Sequence, residues 1–324
     1  MFKYVVVIAA LVELFLLSGS QALAQGYPNK PVRVVVPFPP GSGTDLITRL
    51  VADRLARKWS QQVLVDNRPG AASIIGSEIV AKAPPDGYTL LLTLSNHASN
   101  PKLYAKLPYD TERDFQPITQ VGSSPMLMLV NPALNLKSVQ ELVELSKRSA
   151  QGLSFGSVGS ASPSHLAGEL LKLMSGANLV HVPYKGGPQA TTDVANGGIA
   201  FYFSAIAQGL PLARAGKVQG LAISTGKRWP TVPDVPTVEE SAGLTGYDMD
   251  FWYGLFAPGK TPDALVAQIN RDVVEVLNDP ELRERFVSAG VAPRPSTPAE
   301  FREFVSREIA RWGKLIGEIG LKLE

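Results

Sequence analysis

Apolar residues recur along this chain in two alternating patterns, which constrain its fold more than any other feature of the sequence. Short apolar runs such as Val32–Val36 and Tyr88–Leu94 have the length and composition of buried strands. Between such runs, apolar residues return every three or four positions, as from Leu46 to Leu55, which predicts an amphipathic helix. Strands that alternate with helices predict a parallel sheet covered on both faces. We therefore expect an α/β protein.

A second series of the same kind begins near Met126, after a predicted strand at 115–121. Its predicted strands are 126–130, 153–158, 180–183, 199–203 and 221–225, and the stretch from Pro262 to Ile319 is predicted to be helical. Two series without a solenoid repeat predict two lobes around a cleft. Because ligands of open α/β sheets bind beyond the carboxyl ends of the strands, five segments are expected to line that cleft. They are Pro39–Asp45, Leu94–Asn100, Val158–Ser164, Pro183–Pro188 and Ser204–Leu210.

The first 24 residues have the layout of a secretory signal peptide. Lys3 precedes a mostly apolar stretch over residues 4–17, and Ala22-Leu23-Ala24 supplies an A-x-A cleavage site. The apolar stretch is shorter than the about 20 residues that a membrane-spanning helix needs, and it contains Glu13. We expect export to the periplasm, with cleavage after Ala24.

The composition excludes several classes of function. The chain has no cysteine, which excludes a disulfide framework, a thiolate metal site and a cysteine nucleophile. Its 31 Lys and Arg residues nearly balance its 29 Asp and Glu residues and form no basic block, so nucleic acid is not an expected partner. With 45% hydrophobic residues, the chain can bury a substantial core.

The segment Pro37–Asp45, PFPPGSGTD, follows the first predicted strand and enters a predicted helix. It lacks the lysine of a P-loop, and Leu46 occupies the place of the third glycine in the dinucleotide motif. Backbone N–H groups at a helix N-terminus nevertheless attract anions. Ser42 and Asp45 have the spacing of a capping box, so Asp45 is expected to stabilise this loop, to contact a ligand, or both.

Ser154 and His165 are the residues that raise the possibility of an enzyme. Ser154 lies in a formal G-x-S-x-G match, but it is predicted to begin a strand, whereas a nucleophile elbow follows one. His165 and Glu169 share one face of a predicted helix, yet the chain has only two other histidines, and a zinc site needs three or four ligands. We expect a binding protein without catalytic residue, metal or cofactor; the alternative is an exported hydrolase that uses Ser154.

Short motifs spread over most of the chain match one family of binding proteins. They are Tyr27–Arg33 leading into Pro37–Gly41, Asn67–Ala71, Pro85–Leu90, Ser164–Glu169, His181–Gly186, Pro233–Thr237 and Ala257–Pro262. Each is weak alone, but together and in this order they are specific. The chain resembles the Bug family, the extracytoplasmic substrate-binding proteins of tripartite tricarboxylate transporters.

The resemblance implies a two-lobed periplasmic-binding-protein (Venus-flytrap) fold, with mixed sheets flanked by helices and a ligand cleft between the lobes. Residues 25–124 and 226–324 would form lobe 1, and residues 125–225 lobe 2, with hinge strands near Gly122–Met126 and Thr225–Trp229. It further implies a monomer that binds a small organic carboxylate and delivers it to membrane transporter subunits. A receptor that feeds a signalling partner is the alternative within this class.

The cleft-facing segments and the resemblance together define the expected ligand-binding residues: Pro39, Gly41, Ser42, Gly43, Thr44, Asp45, Ser95, His97, Ser160, Ala161, Ser162, Tyr184, Lys185, Gly186 and Ser204. Lys185 is equally compatible with a solvated turn. The chain departs from the family over 198–204, where Asp residues are common and this sequence reads GIAFYFS. The pocket wall is therefore expected to be less acidic and to suit a different or more apolar ligand. Of Tyr202 and Phe203, one is expected to face the core and the other the cleft or solvent.

Overall fold

A mixed sheet of ten strands forms the centre of the molecule in the computed structural model, which describes residues 26–160 and 162–321. The predicted signal peptide, its cleavage site and Ala161 lie outside these residues. The main path of the sheet has the order β2-β1-β3-β9-β4-β7-β5-β6, and β8 and β10 both pair with β4. The strands are β1 (Val32–Val36), β2 (Val63–Asn67), β3 (Thr89–Leu94), β4 (Phe115–Val130), β5 (Leu153–Ser157), β6 (Leu179–Pro183), β7 (Phe201–Ala205), β8 (Gln219–Ile223), β9 (Asp250–Pro258) and β10 (Ala292–Pro293).

Strand β4 joins the two halves of this sheet. Its residues 115–125 pair antiparallel with β9, and its residues 126–130 pair antiparallel with β7 and β8. The sequence predicted two separate strands here, at 115–121 and 126–130, and the structure joins them into one. In the structure Pro125 lies where β4 changes partners, the place at which a missing N–H disturbs a sheet least.

Strand β9 was not predicted, although its residues are almost all apolar. It lies between β3 and β4 and is antiparallel to both. Strand β10 also pairs antiparallel with β4. The remaining pairs are parallel within each half, with β1 beside β2 and β3, and β5 beside β6 and β7. The expected mixed α/β architecture is confirmed, and β9 is the element that makes the first half mixed.

Helices cover the sheet, and most of them match the predicted ones. They are α1 (Gly43–Trp59), α2 (Ile74–Ala81), α3 (Asn96–Leu103), α4 (Val139–Arg148), α5 (Pro163–Ser175), α6 (Gly187–Asn196), α7 (Ile206–Arg214), α8 (Val238–Ala242), α9 (Asp263–Leu277), α10 (Pro280–Ser288) and α11 (Pro298–Ile319). Helices α3 and α7 were not predicted, since Leu94–Asn100 and Ser204–Leu210 were expected to be loops; each helix contains a proline, Pro101 and Pro211, which is unusual in a helix interior. In the described residues, no helix is both long enough and apolar enough to cross a membrane.

Ser224 connects the two chain segments that pass between the halves of the sheet. Its hydroxyl accepts a hydrogen bond from the Met126 N–H at 2.9 Å and donates one to the Met249 carbonyl. Its backbone N–H donates to the Met126 carbonyl (2.9 Å), and its own carbonyl accepts from the Met249 N–H (2.8 Å). This buried serine therefore binds β4 and the segment before β9 together.

Candidate functional site

A cavity of about 600 Å³ opens between the two halves of the sheet. All five segments that were predicted to line a cleft contribute residues to it. The lining residues are Phe38, Ser42, Gly43, Thr44, Ala72, Leu94, Asn96, Tyr104, Met126, Val158, Ser160, Ser162, Pro163, Ser164, Gly187, Tyr202, Phe203, Ala205, Gln208, Phe251 and Tyr253. Its volume lies within the about 300–1,000 Å³ of ordinary small-molecule sites.

The floor of the cavity is apolar and crosses four neighbouring strands. Leu94 on β3 is the register partner of Tyr253 on β9, and the Phe251 and Tyr253 rings meet edge to face at 5.8 Å. Met126 on β4 and Phe203 on β7 extend this floor into the second half of the sheet. The alternation of side chains along β9 explains why Phe251 and Tyr253, two residues apart, share one face.

Tyr202 and Phe203 pack in two different apolar clusters, in agreement with their alternation along the strand, but neither faces solvent. Both are buried, with 2% and 1% of their surface exposed, and both line the cavity. Strand β7 is central, helices α5 and α6 pack on it, and neither of its faces is left to solvent. Burial also raises the pKa of Tyr202 to about 12, so its hydroxyl remains a neutral donor.

The loop before α1 is held in place from beneath by Asp45. One carboxylate oxygen of Asp45 accepts hydrogen bonds from the Gly41 N–H (2.9 Å) and from Arg49 Nε (3.0 Å). The other accepts from Asn67 Nδ2 (3.0 Å), which also donates to the Phe38 carbonyl. Burial alone would raise the pKa of Asp45, but the hydrogen bonds from Arg49, Gly41 and Asn67 outweigh it and lower the pKa below its ordinary value. Asp45 is not among the cavity-lining residues, and the contacts that the structure gives it are those that hold the loop.

This arrangement leaves donors directed to the cavity at the start of α1. Ser42 caps the helix by accepting from the Asp45 N–H at 3.2 Å, while the Gly43 and Thr44 N–H groups have no partner among the described residues. The Tyr253 hydroxyl lies beside them, 3.6 Å from the point where a Cβ on Gly43 would stand. Tyr253 is only 4% exposed, and its hydroxyl has no hydrogen-bond partner among the described residues. A ligand anion would satisfy all three groups.

Serine side chains organise the opposing loop, which leads from β5 to α5. The Ser162 hydroxyl donates to the Gly159 carbonyl at 2.6 Å and caps α5, and the Ser164 hydroxyl accepts from the Val158 N–H at 3.1 Å. Together with Gly187 at the start of α6, this gives the cavity three helix N-termini. Each carries the partial positive charge of a helix N-terminus, which favours an anion. Helix α1 offers both its Gly43 and Thr44 N–H groups, whereas Pro163 and Pro188 have no N–H and leave α5 and α6 with fewer free donors.

Two stacked histidines stabilise the same loop from behind. The rings of His165 and His181 lie 3.7 Å apart, and His181 Nε2 is 2.6 Å from the Ser157 hydroxyl, which in turn bonds to Gly159. Burial and the neighbouring His165 lower the pKa of His181 to about 4. Among the described residues, no group of three His, Asp or Glu side chains is placed to bind a metal ion. Ser154 lies within β5 and not at a strand-to-helix turn, so it lacks the geometry of a nucleophile elbow.

The low pKa of His181 predicts a specific loss of stability in acid. Unfolded His181 would titrate near 6.5 and folded His181 near 4, so the unfolded state binds more protons between these values and stability falls as the pH is lowered through them. One such group contributes at most about 1.4 kcal/mol per pH unit, and less here because the ring is partly exposed. We expect His181→Gln to flatten the decline of unfolding free energy between pH 6.5 and 4.5, measured by urea denaturation. Ser157→Ala, which retains the titrating ring, should keep the wild-type slope; equal slopes in His181→Gln and the wild type would contradict the assignment.

The structure places the predicted ligand-binding residues in two groups. Ser42, Gly43, Thr44, Ser160 and Ser162 line the cavity, and Ala161 lies outside the described residues. The others lie near the cavity but are not among its lining residues: Pro39, Gly41, Asp45, Ser95, His97, Tyr184, Lys185, Gly186 and Ser204. Among these, His97 is fully buried against aromatic rings, and Tyr184 donates to Asp193 at 2.6 Å. Because no ligand is present, the ligand contacts of both groups stay predictions.

Most of the aromatic lining was missed by the sequence analysis. Phe251 and Tyr253 belong to the unpredicted β9, and Tyr104 follows the unpredicted α3. The alternation of Phe251 and Tyr253 with small or buried neighbours was the sequence signal that could have indicated this strand. It could not show which face of the strand would line the cavity, because that depends on pairing with β4, more than a hundred residues earlier in the chain.

Comparison with known proteins agrees with this architecture. The model of the tripartite tricarboxylate transporter family receptor matches residues 47–321. Protein BugT of Bordetella pertussis is 34% identical over 303 residues, which cover 93% of each chain. A protein of R. palustris solved with adipate is 33% identical with a TM-score of 0.82, covering 91% of this chain and 99% of its own. MatC from Rhodopseudomonas palustris with bound malate is 32% identical with a TM-score of 0.77, covering 90% and 100%. The two-lobed periplasmic-binding-protein fold is thereby confirmed, and the chain belongs to the tripartite tricarboxylate transporter receptor family.

Proposed function

We propose that this protein is a non-catalytic periplasmic receptor that captures a small carboxylate-bearing organic anion for a tripartite tricarboxylate-type transporter. The observation that carries the proposal is the cavity with three helix N-termini in its wall. Their free N–H groups supply donors and partial positive charge without any basic side chain. Relatives solved with adipate and with malate support a carboxylate ligand.

The proposed mechanism is closure of two lobes about the strands that join them. The first crossing would lie within the predicted hinge Gly122–Met126, where β4 changes partners. We propose the second crossing at residues 248–250, and not at Thr225–Trp229, because Trp229 and Val232 pack in one apolar cluster with Leu127 and Leu129. Residues 26–124 and 250–321 would then form lobe 1, and residues 125–249, including the irregular segment after β8, lobe 2.

Export is part of the proposal, with the signal peptide removed after Ala24 and the receptor acting as a monomer beside the membrane subunits. Two findings support it: the A-x-A site at Ala22–Ala24 and the family's periplasmic members. N-terminal sequencing of the protein secreted to the periplasm would start at Gln25 if the cleavage site is right.

Ligand binding is tested by thermal shift and titration calorimetry with carboxylates and their matched primary amides. A carboxylate present at about a hundred times its dissociation constant adds about 2.7 kcal/mol to the free energy of unfolding. In a chain of this size that raises the melting temperature by about 5 °C. We expect such a rise with at least one acid and none with its amide. Equal effects of acid and amide would contradict anion capture, and ester turnover that is lost in Ser154→Ala would establish the hydrolase instead.

A further inference from the structure

The wall of the ligand cavity carries no charged side chain. Among its described lining residues there is no Lys, Arg, His, Asp or Glu. Of the charged residues in the loops around the cavity, Asp45 is bonded to Arg49, and Lys185 is exposed and is not among the lining residues. Any charge on a bound ligand must therefore be balanced by backbone and hydroxyl donors alone.

Six aromatic residues are among those that line the cavity: Phe38, Tyr104, Tyr202, Phe203, Phe251 and Tyr253. Three of them, Phe38, Tyr104 and Phe251, are only partly buried. Phe38 and Tyr104 contact no other ring among the described residues, whereas the Phe251 and Tyr253 rings of the same wall contact each other. Aromatic rings prefer stacked or edge-to-face partners at 4.5–7 Å, so these two offer free faces to a ligand.

The strongest donors are concentrated at one place in the cavity. The Gly43 and Thr44 N–H groups lie at the start of α1, and the hydroxyl of Tyr253 lies against Gly43. Elsewhere the polar lining consists of neutral groups, and Asn96 already donates to Ala72 and Ser73, both at 2.7 Å. A single carboxylate is satisfied at α1, whereas a second one would be buried among rings without a cation, which is costly.

We propose that the ligand is an aromatic monocarboxylate, an inference that rests on the proposed function as a carboxylate receptor. Its carboxylate accepts from the N–H groups at the start of α1 and from the Tyr253 hydroxyl. Its uncharged ring lies against Phe38, Tyr104 and Phe251. The neutral Gln208 and Tyr202 side chains, both close to Gly187, accommodate uncharged polar ring substituents.

The test is titration calorimetry of the full secreted chain, stripped of ligand by unfolding and refolding, with four probes. These are 3-phenylpropanoate, 3-cyclohexylpropanoate, adipate and 3-phenylpropanamide. We expect 3-phenylpropanoate to bind about threefold to tenfold more tightly than its cyclohexyl analogue, because the ring faces are lost in the latter. We expect it to bind at least about thirtyfold more tightly than adipate, whose second carboxylate has no cation here.

Two phenylalanine variants test whether the preference for an aromatic ligand arises from the cavity wall. Phe251→Leu should reduce affinity for 3-phenylpropanoate about tenfold while changing adipate binding less than twofold. Phe304→Leu is the matched control, since Phe304 on α11 is also partly buried and packs on Trp252 at 5.5 Å, outside the cavity. It should leave both affinities unchanged.

The failures of the two proposals are distinguishable. Three results would overturn the proposal of an aromatic monocarboxylate but not that of a carboxylate receptor. They are tighter binding of adipate, equal binding of the cyclohexyl analogue, and a co-purified ligand with two carboxyl groups in native mass spectrometry. Equal binding of 3-phenylpropanamide and the acid would overturn both. Absence of binding by all four probes would also count against the aromatic ligand.

Discussion

Replacing Asp45 by alanine is expected to destabilise the protein by about 1–3 kcal/mol and to weaken ligand binding at least about tenfold. The reason is its position beneath the α1 loop, where its two oxygens accept from Gly41, Arg49 and Asn67. Removing it leaves three donors without their acceptor, one of them the backbone N–H that shapes the loop. Gly41, with a φ of +78°, would lose the contact that stabilises its left-handed turn.

Urea denaturation and titration calorimetry measure the two effects of Asp45→Ala. The matched control is Asp53→Ala on the same helix, because Asp53 forms only an exposed ion pair with Arg57 at 2.9 Å and should cost less than about 0.5 kcal/mol. Since the pKa of Asp45 is lowered by folding, its contribution is complete above about pH 4 and disappears as the pH falls below that value. A loss of less than 1 kcal/mol at pH 7 would contradict the structural role.

The alternation of strands and helices, and the five segments that follow strands, could be predicted because each depends on residues close together in the sequence. Each of those segments reaches the cavity, as the rule for open sheets requires. The cap of α1 could be predicted for the same reason, since Ser42 accepts from the Asp45 N–H three residues later, as their spacing indicates. Such features depend on residues a few positions apart, so one sequence suffices to find them.

The chemistry of the cavity could not be predicted in the same way, because it depends on pairings distant in sequence. Tyr253 lies beside Gly43 only because β9 returns between β3 and β4. The sequence could not decide whether Asp45 stabilises its loop or contacts a ligand. The orientation of the Asp45 side chain depends on a hydrogen bond from Asn67, which is 22 positions away. His97 was expected at the cleft because it follows a strand, yet α3 turns its ring into the core, where it lies 4.6 Å from Phe115.

Gly43 is the position at which ligand binding can be reduced with the smallest effect on folding. A Cβ at Gly43 would meet only the Tyr253 hydroxyl, at the ordinary contact distance of 3.6 Å, and the residue has no positive φ. Gly43→Val is therefore compatible with the helix start, but its methyl groups occupy the space in front of the free N–H pair and the hydroxyl. We expect affinity for the bound carboxylate to fall at least about a hundredfold, while the unfolding free energy changes by less than about 1 kcal/mol.

Two further glycine variants show whether the loss arises from the site. Gly317→Val on α11 has no atom within 4 Å of the added Cβ and should alter neither affinity nor, beyond about 1 kcal/mol, stability. Gly41→Val should instead lose stability, because a β-branched residue is strained at a φ of +78°. Calorimetry and urea denaturation on the three variants separate these cases. Unchanged affinity in a folded Gly43→Val would remove the start of α1 from the binding site, because no carboxylate could then reach N–H groups covered by the valine side chain.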